Sequence, residues 1–340
     1  MSYTSPSPGL TLLKAFLAYL AFQGKAAGTR AKYGQALEPY VTWLDGRHPA
    51  TAKADDVWLY LAHWSERFET QYGRAPKTNT RRNQVTALKS FYEHLERFDQ
   101  LVDADGKVVR NPMLKIDTPT AEPTMNDFLS KAQDDALLAA AISPQERILV
   151  WLLRFTGMRV SEACSVRISD IHLTYGNSRI LVPMSKTKAG LRTIPIFPEL
   201  APELVRWLEE LEREGRLYPN LPLLSTSSGK PMRPNFVDRV IKRVAGRADI
   251  RPTLCTCGSS LRSRHTSGCP RTVSGHNLSA VSSHTLRRTF ATDLRNRHLA
   301  IDSISKLLGH SSTATTEAYY AQLLDPTIKQ ELADTLGWAA

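Results

Sequence analysis

The residues whose chemistry stands out lie in the second half of the chain, in three short motifs and one loop. The motifs read "TGMRVSEA", "HTLRRTF" and "LGHSSTATTEAYY", and the loop reads "SKTKAG". Together they supply two arginines, two histidines, a lysine and a tyrosine, namely Arg159, Arg287, His284, His310, Lys186 and Tyr319. Arginine binds phosphate through two parallel hydrogen bonds, histidine or lysine can transfer a proton, and tyrosine can be a covalent nucleophile. The set predicts phosphoryl transfer to tyrosine, with protein cations taking the role of a metal ion.

The spacing within each motif supports a shared site. Arg159 precedes Glu162 by three residues, and His284 precedes Arg287 by three, so each pair shares one helix face. Taken singly, each residue has an ordinary structural explanation, such as a surface ion pair between Arg159 and Glu162. The prediction depends on all the motifs occurring in one chain.

Two different regions of the chain must position these groups. Apolar residues recur at helical spacing through residues 10–97, which predicts an all-α bundle with a kink or a later helix start at Pro39. The second region mixes elements: a long helical run over roughly 131–167, two strands "RILVPM" and "LRTIPIF" joined by the lysine loop, and further helices. The predicted fold is therefore mainly α, with a small β-hairpin or sheet in an α+β second domain.

The domain limits follow from a change in composition. Residues 99–126 are rich in turn-forming residues and poor in apolar ones. We predict a helical domain over 8–115, a linker over 116–124 and a second domain over 125–340. The second domain carries an insertion at about 251–280 and a C-terminal tail.

The charge of the chain points to a polyanionic partner. Lys and Arg number 44 against 33 Asp and Glu, which leaves a formal charge of +11. Nucleic acid is the first expectation, and an anionic membrane surface is the weaker alternative. Four cysteines do not make a disulfide framework, and the short apolar run near the N-terminus is interrupted by Lys14. We therefore expect no signal peptide, no membrane span and a cytoplasmic location.

The most basic stretch of the first region is "RAPKTNTRRN", residues 74–83. Lys77, Arg81 and Arg82 lie there at the start of a predicted helix, among small hydroxyl and amide side chains. Such a group suits contacts with DNA phosphates. The alternative is an ordinary solvated helix start.

These motifs resemble those of the tyrosine recombinase (phage integrase) family. "TGMRVSEA" is similar to its first arginine box, "HTLRRTFAT" to its His-x-x-Arg box, and "LLGHSSTATTEAYY" to its Leu-Gly-His to Tyr box. "SKTKAGLRTIPI" resembles its hairpin lysine followed by Arg-x-x-Pro, and the first half of the chain resembles its helical core-binding domain. The resemblance covers residues of about 10–335.

The resemblance implies how the phosphate would be held. Arg159 and Arg287 would grip the scissile phosphate, with His284 and His310 in contact with it or with the nucleophile. Glu162 would orient the arginines. No ATP and no catalytic metal would be needed.

The resemblance also implies which groups would make and break bonds. Tyr319, nine residues after His310, would attack and form a 3′-phosphotyrosyl link. Tyr320 would serve packing or would help to position the segment that carries the nucleophile. Lys186 would protonate the 5′ leaving oxygen, although Lys188 in the same loop is an alternative.

The resemblance further implies the partners. Double-stranded DNA with specific core sites would be clamped between the two domains, and four protomers would exchange strands through a Holliday junction. The tail, with Leu332, Leu336 and Trp338, would dock on a neighbouring protomer or pack on its own domain. A DNA-relaxing or hairpin-forming relative and a non-catalytic DNA-binding regulator are the competing functions.

The insertion departs from the family pattern. It contains Cys255, Cys257, His265 and Cys269, spaced C-x-C-x7-H-x3-C, with His276 as a spare ligand. Thiolates and imidazole suit tetrahedral zinc, although C-x-C is tighter than the usual spacing. We predict a structural zinc site here, the alternatives being a basic loop that contacts DNA and a redox-sensitive cysteine pair.

Overall fold

The computed structural model describes residues 7–103, 105–122, 128–174, 176–183, 192–252 and 279–309. Its contacts divide the chain into two compact units, residues 1–123 and 124–340. The predicted start and end of the linker, residues 116 and 124, remain predictions. No helix in the described ranges is long and apolar enough to cross a membrane.

The N-terminal unit contains four long helices: α1 (Pro8–Phe22), α2 (Ala27–Trp43), α3 (Ala54–Tyr72) and α4 (Thr78–Arg97). Each helix buries the face on which its apolar side chains recur. Pro39 lies inside α2, which begins at Ala27, so the alternative of a later helix start is wrong.

Buried hydroxyl groups join the helices of this unit. The hydroxyls of Tyr40 and Tyr92 lie 2.5 Å apart, and Tyr92 also donates to the backbone oxygen of Pro49 at 3.0 Å. Burial raises the pKa of Tyr40 to about 12, so its phenol is protonated at neutral pH. These bonds satisfy polar atoms that the core would otherwise leave unpaired.

The C-terminal unit is also mainly helical. Its helices are α5 (Lys131–Ala140), α6 (Pro144–Thr156), α7 (Val160–Ala163), α8 (Ala201–Arg213), α9 (Pro234–Arg247), α10 (Ser283–Asn296) and α11 (Ile301–Leu308). The helical run predicted over roughly 131–167 is present, and it is divided into three helices, the last of which ends at Ala163. Ser143 and Glu146 form a capping box that starts α6, and Gly157 ends it in the left-handed conformation with φ 59°.

A small antiparallel sheet accompanies these helices. Its strands are β1 (Ile171–His172), β2 (Arg179–Val182) and β3 (Arg192–Pro195), in the order β1-β2-β3. Val182 pairs with Arg192 at the end of the β2–β3 ladder, and residues 184–191 lie outside the described ranges. The predicted hairpin strands are present, and β1 is an addition that the sequence did not predict. The predicted fold class, mainly α with a small sheet in the second domain, is confirmed.

Helix α6 lies at the centre of this unit, in contact with α8, α9 and α10. Its Leu149, Leu152 and Leu153 are fully buried. A smaller cluster between α10 and α11 includes Phe290 and Leu308. The predicted functional residues that the structure describes, Arg159, Glu162, His284 and Arg287, lie at the turn between α6 and α7 and in the first half of α10.

Candidate active site

The first arginine motif forms the turn between α6 and α7. Arg159 caps the start of α7, and its backbone N–H donates to Oε2 of Glu162 at 3.0 Å. Its side chain also donates, from Nη1 to Oε1 of Glu162 at 2.7 Å. The predicted contact between these two residues is therefore present, and both the backbone and the guanidinium of Arg159 are fixed by one carboxylate.

Glu162 is buried and receives a second arginine. Arg192, the first residue of β3, donates from Nη2 to Oε2 of Glu162 at 3.0 Å. Burial works against ionisation of Glu162, but the hydrogen bonds from Arg192 and from the Arg159 backbone hold its pKa below the ordinary value. The carboxylate is therefore charged at neutral pH and bridges two guanidinium groups.

Arg287 reaches the same place from α10. It is buried, and it donates from Nη1 to the backbone oxygen of Gly157 at 2.7 Å and from Nη2 to that of Leu308 at 2.8 Å. Burial and the nearby charge of Arg159 lower the pKa of Arg287 to about 9, so the guanidinium still carries its charge at pH 7. Its contacts are neutral carbonyls, which orient the group and leave its charge available.

Gly157 makes this contact possible. Its φ of +59° suits glycine, and a Cβ there would lie 2.3 Å from Cδ1 of Phe290 on α10. The absence of a side chain therefore lets α10 approach the end of α6 closely. Arg287 depends on that approach to reach the Gly157 carbonyl.

His284 lies in the first turn of α10, one turn before Arg287. The helix start is held by a capping box of Ser282 and Thr285, and Asp238 of α9 accepts a hydrogen bond from the backbone of Ser283 at 2.9 Å. The His284 side chain is exposed at one side. Partial burial of its ring and the charge of Arg287 lower its pKa, which Asp238 partly opposes, so the imidazole is neutral at pH 7.

The arginines of the site converge on the C-terminal end of α11. Arg192 donates to the backbone oxygen of Leu307 at 2.5 Å, Arg287 to that of Leu308, and Arg159 to that of Gly309 at 3.3 Å. A helix C-terminus carries partial negative charge and leaves carbonyls without partners inside the helix, so it binds cations well. The next residue in the chain is His310.

Sequence reasoning did not assign Arg192 to the site. It noted the Arg-x-x-Pro pattern after the lysine loop but gave the arginine no role. The charge, the pattern and the position directly after the loop were the available signals.

The structure describes part of the predicted set. It brings together Arg159, Glu162, His284 and Arg287. The other predicted residues, Lys186, His310 and Tyr319, lie outside the described ranges, as do the alternatives Lys188 and Tyr320. Their roles remain predictions.

The predicted zinc ligands, Cys255, Cys257, His265 and Cys269, also lie outside the described ranges. Within those ranges, no group of three or more His, Cys, Asp or Glu side chains could hold a metal ion. The zinc site thus remains a prediction.

The basic stretch of the N-terminal unit forms the start of α4. Lys77 caps the helix, and Lys77, Arg81 and Arg82 are all exposed. The segment before the domain boundary lies against this helix start: Arg82 donates to the backbone oxygen of Pro119 at 3.2 Å, and Thr78 donates to Glu122 at 2.5 Å. Lys77 and Arg81 remain placed for an external anion, while Arg82 and Thr78 already have partners within the chain.

Comparisons with known proteins identify the family. The profile described as the phage integrase family matches residues 127–325, and the one described as the phage integrase N-terminal SAM-like domain matches residues 12–100. The chain belongs to the phage integrase family. The resemblance inferred from the motifs is therefore confirmed, and with it the enzyme class, a tyrosine-type recombinase that breaks and rejoins DNA.

Individual relatives agree with this assignment. The tyrosine recombinase XerD of Lacticaseibacillus casei is 26% identical over 316 residues, which cover 91% of this chain and 92% of the relative. Among solved structures, a post-cleavage complex of the XerH site-specific recombinase with a palindromic difH substrate has a TM-score of 0.69 at 16% identity, with 98% of each chain covered. A lambda integrase tetramer bound to a Holliday junction has a TM-score of 0.63 at 18% identity, covering 91% of this chain and 76% of that one. The two solved structures share the fold of this chain.

Proposed function

We propose that this chain is a site-specific DNA recombinase that cleaves and rejoins strands through a covalent bond between Tyr319 and DNA. The observation that carries the proposal is the convergence of Arg159 and Arg287 on the end of α11. The chain continues from that end directly to His310 and, nine residues later, to Tyr319. A phosphate bound by the two arginines would therefore lie beside the segment that carries the nucleophile.

The proposed reaction needs no external energy source. The Tyr319 hydroxyl gives its proton to His284 and its oxygen attacks the scissile phosphorus, while the bond from phosphorus to the 5′ oxygen breaks and Lys186 gives a proton to that oxygen. The products are a 3′-phosphotyrosyl bond and a free 5′-hydroxyl. The 5′-hydroxyl of a partner strand then attacks the phosphotyrosyl bond and releases the tyrosine, so no ATP is consumed.

The described residues supply the electrostatics of this step. Arg159 and Arg287 donate to the non-bridging oxygens and stabilise the charge that develops on them. Glu162 fixes Arg159 in place. His284, neutral at pH 7, can donate a hydrogen bond to the phosphate or accept the tyrosine proton.

A nicked suicide DNA substrate, from which the cleaved fragment diffuses away, tests the proposal. We expect the wild-type chain to accumulate a covalent protein–DNA adduct. Tyr319→Phe should abolish the adduct, and the matched control Tyr320→Phe should leave it largely intact. If the wild-type chain forms no adduct, the result favours a non-catalytic DNA-binding regulator. If Tyr319→Phe still forms an adduct, Tyr319 is not the nucleophile.

We propose a homotetramer on two duplexes with core sites as the working assembly. Support comes from a related fold, the lambda integrase, whose tetramer is bound to a Holliday junction. The tail with Leu332, Leu336 and Trp338 would dock on a neighbouring protomer, with packing on its own domain as the alternative. Deleting residues 325–340 and measuring adduct formation and junction formation separately would distinguish the two, because only docking in trans predicts a loss confined to the assembled complex. We also propose that the enzyme acts in the cytoplasm, at the nucleoid of a prokaryotic host; the similarity to the tyrosine recombinase XerD of a bacterium supports an enzyme that acts on DNA.

We propose that Cys255, Cys257, His265 and Cys269 hold a structural zinc ion and that catalysis uses no metal. The ends of the insertion are joined within the described chain, because Pro252 pairs with Ser279 and the Ala280 N–H donates to the Arg251 carbonyl at 2.9 Å. A zinc ion bound within the insertion would stabilise the insertion, and the folding of the catalytic unit would not depend on it. Metal analysis of purified protein should find about one zinc per chain, and a content well below that would exclude the site.

A further inference from the structure

Arg192 occupies a position that links three parts of the site. It is the first residue of β3, directly after the loop that contains Lys186. Its side chain is only 7% exposed, although it carries a full charge. A buried guanidinium is costly unless its donors are used, so its contacts define its role.

The guanidinium of Arg192 makes contacts in two directions. On one side Nη2 donates to Glu162, whose other carboxylate oxygen receives Arg159. On the other side Nε donates to the backbone oxygen of Leu307 in the last turn of α11. Arg192 therefore connects the anchor of one catalytic arginine to the helix that leads to His310.

The packing at Gly309 tightens this connection. Gly309 has a φ of +66°, and a Cβ at that position would lie 2.7 Å from Nη1 of Arg192. The guanidinium thus lies directly against the backbone at the residue where α11 ends. A shift of Arg192 would change the direction in which the chain leaves the helix.

We propose that Arg192 is a positioning residue for strand cleavage, which holds Arg159 through the shared Glu162 carboxylate and holds the end of α11 through Leu307 and Gly309. The inference rests on the proposed function of the site. The contacts that carry the inference are those with Glu162 and Leu307, through which Arg192 is joined to Arg159 and to α11.

The chemistry explains why this position needs arginine. A planar guanidinium offers donors along its Nε edge and its Nη ends at the same time, whereas a lysine offers one compact ammonium. Lysine at residue 192 would keep the charge and could satisfy Glu162 or Leu307, but not both in the same geometry. The replacement Arg192→Lys therefore tests the geometry while the charge is retained.

Single-turnover cleavage of the nicked suicide substrate measures the effect. We expect Arg192→Lys to cleave about 100-fold more slowly, the size of loss that follows from a displacement of about 1 Å at a reacting group, with DNA affinity changed by less than about threefold. The matched control is Arg154→Lys, because Arg154 is 6% exposed and pairs with Asp134 within the same unit. Its cleavage rate should stay within about threefold of wild type at a temperature where both variants are folded.

Two further measurements separate positioning from other roles. If Arg192 and Glu162 act as one unit, the double variant Arg192→Lys/Glu162→Gln should cleave no more slowly than the slower single variant. Losses that multiply in the double variant would contradict the proposal.

A substrate with sulfur as the bridging 5′ atom needs no proton from Lys186, because thiolate is a good leaving group. The deficit of Arg192→Lys should persist on it, and restored cleavage would show that Arg192 acts through the lysine loop instead.

Three other outcomes would contradict the positioning role of Arg192. A parallel loss of DNA binding and cleavage would make Arg192 a binding residue. If Arg192→Lys and Arg192→Gln both fail to fold while Arg154→Lys folds, Arg192 serves stability and the proposal is wrong. A wild-type chain that forms no adduct would refute the proposed function before Arg192 is tested.

Discussion

Replacing Glu162 with glutamine is the most direct test of how the site is held together. Glu162 accepts three hydrogen bonds, from the backbone and side chain of Arg159 and from the side chain of Arg192, and its side chain is 3% exposed. Glutamine has nearly the same shape but one acceptor oxygen, and its NH2 group would face an N–H donor. The change therefore removes the negative charge at residue 162 and places the NH2 group of glutamine opposite another hydrogen-bond donor.

The cost can be estimated from the burial of the group. Breaking a buried ion pair costs about 3–5 kcal/mol. The side chain of Arg159 is 35% exposed, so its guanidinium can be solvated when Glu162 is replaced. We therefore expect the free energy of unfolding to fall by about 3 kcal/mol at pH 7, near the lower end of that range. Urea unfolding should show this loss as a lower midpoint with an unchanged slope.

The pH dependence provides an independent check. Hydrogen bonds from the arginines outweigh burial and lower the pKa of Glu162 in the folded state. Its contribution to stability is therefore present above the pKa of the unfolded chain, about 4.3, and is lost as the pH falls through the lower folded pKa. The stability gap between wild type and Glu162→Gln should narrow as the pH falls below about 4.

Glu203→Gln is the matched control. Glu203 is 7% exposed and pairs with Arg147 and Arg206, and its pKa is likewise lowered, above all by the hydrogen bond from Arg147. Both variants should lose stability, but Glu162→Gln should also slow cleavage of the nicked substrate about 100-fold, while Glu203→Gln should stay within about threefold. A stability loss below about 1 kcal/mol for Glu162→Gln, or equal effects of both variants on cleavage, would refute the reasoning.

Three further predictions concern packing, DNA contact and the N-terminal core. Gly157→Ala should cost about 2–4 kcal/mol in urea unfolding, because a Cβ would clash with α10 and φ is positive, whereas Gly215→Ala, with open space around it, should cost about 1 kcal/mol. Arg81→Ala should lower the slope of log affinity for DNA against log salt by about 0.9, and Arg213→Ala on α8 should not; an unchanged slope would remove Arg81 from the interface. Tyr92→Phe removes a hydroxyl with two buried hydrogen bonds and should cost about 1–3 kcal/mol in thermal or urea unfolding of the N-terminal unit, and no measurable cost would mean that the bonds are not formed in solution.

The sequence predicted which described residues lie close together at the site better than it predicted the limits of the helices that carry them. The pairs Arg159–Glu162 and His284–Arg287 are local, so their three-residue spacing was enough to place them together. The helical run predicted over roughly 131–167 contains two breaks, between α5 and α6 and between α6 and α7, which the spacing of apolar residues did not indicate. The first break was readable, since Ser143 and Glu146 have the spacing of a capping box, which defines a helix start more sharply than periodicity does.

Arg192 could not be placed from sequence for a different reason. Its partners Glu162 and Leu307 are 30 and 115 residues away along the chain, and only the folded unit brings them together. A buried arginine and an exposed one look alike in sequence, because burial is a property of the tertiary fold. The same holds for the carbonyls of Gly157 and Leu308, which fix Arg287 without any side-chain signal.

The charges of the site explain why the arginines are anchored mainly on carbonyls. Glu162 pairs with Arg159 and Arg192 and lies near Arg287, so these four described side chains together carry two more positive than negative charges. A phosphodiester carries one negative charge, and attack by a tyrosine oxygen that has lost its proton adds a second in the transition state. Carbonyl dipoles at the end of α11 orient the guanidinium groups without cancelling that excess, whereas a second carboxylate would reduce it. The three arginines are thus anchored in part on the backbone carbonyls at the end of α11, which hold the guanidinium groups in place and leave their positive charge available.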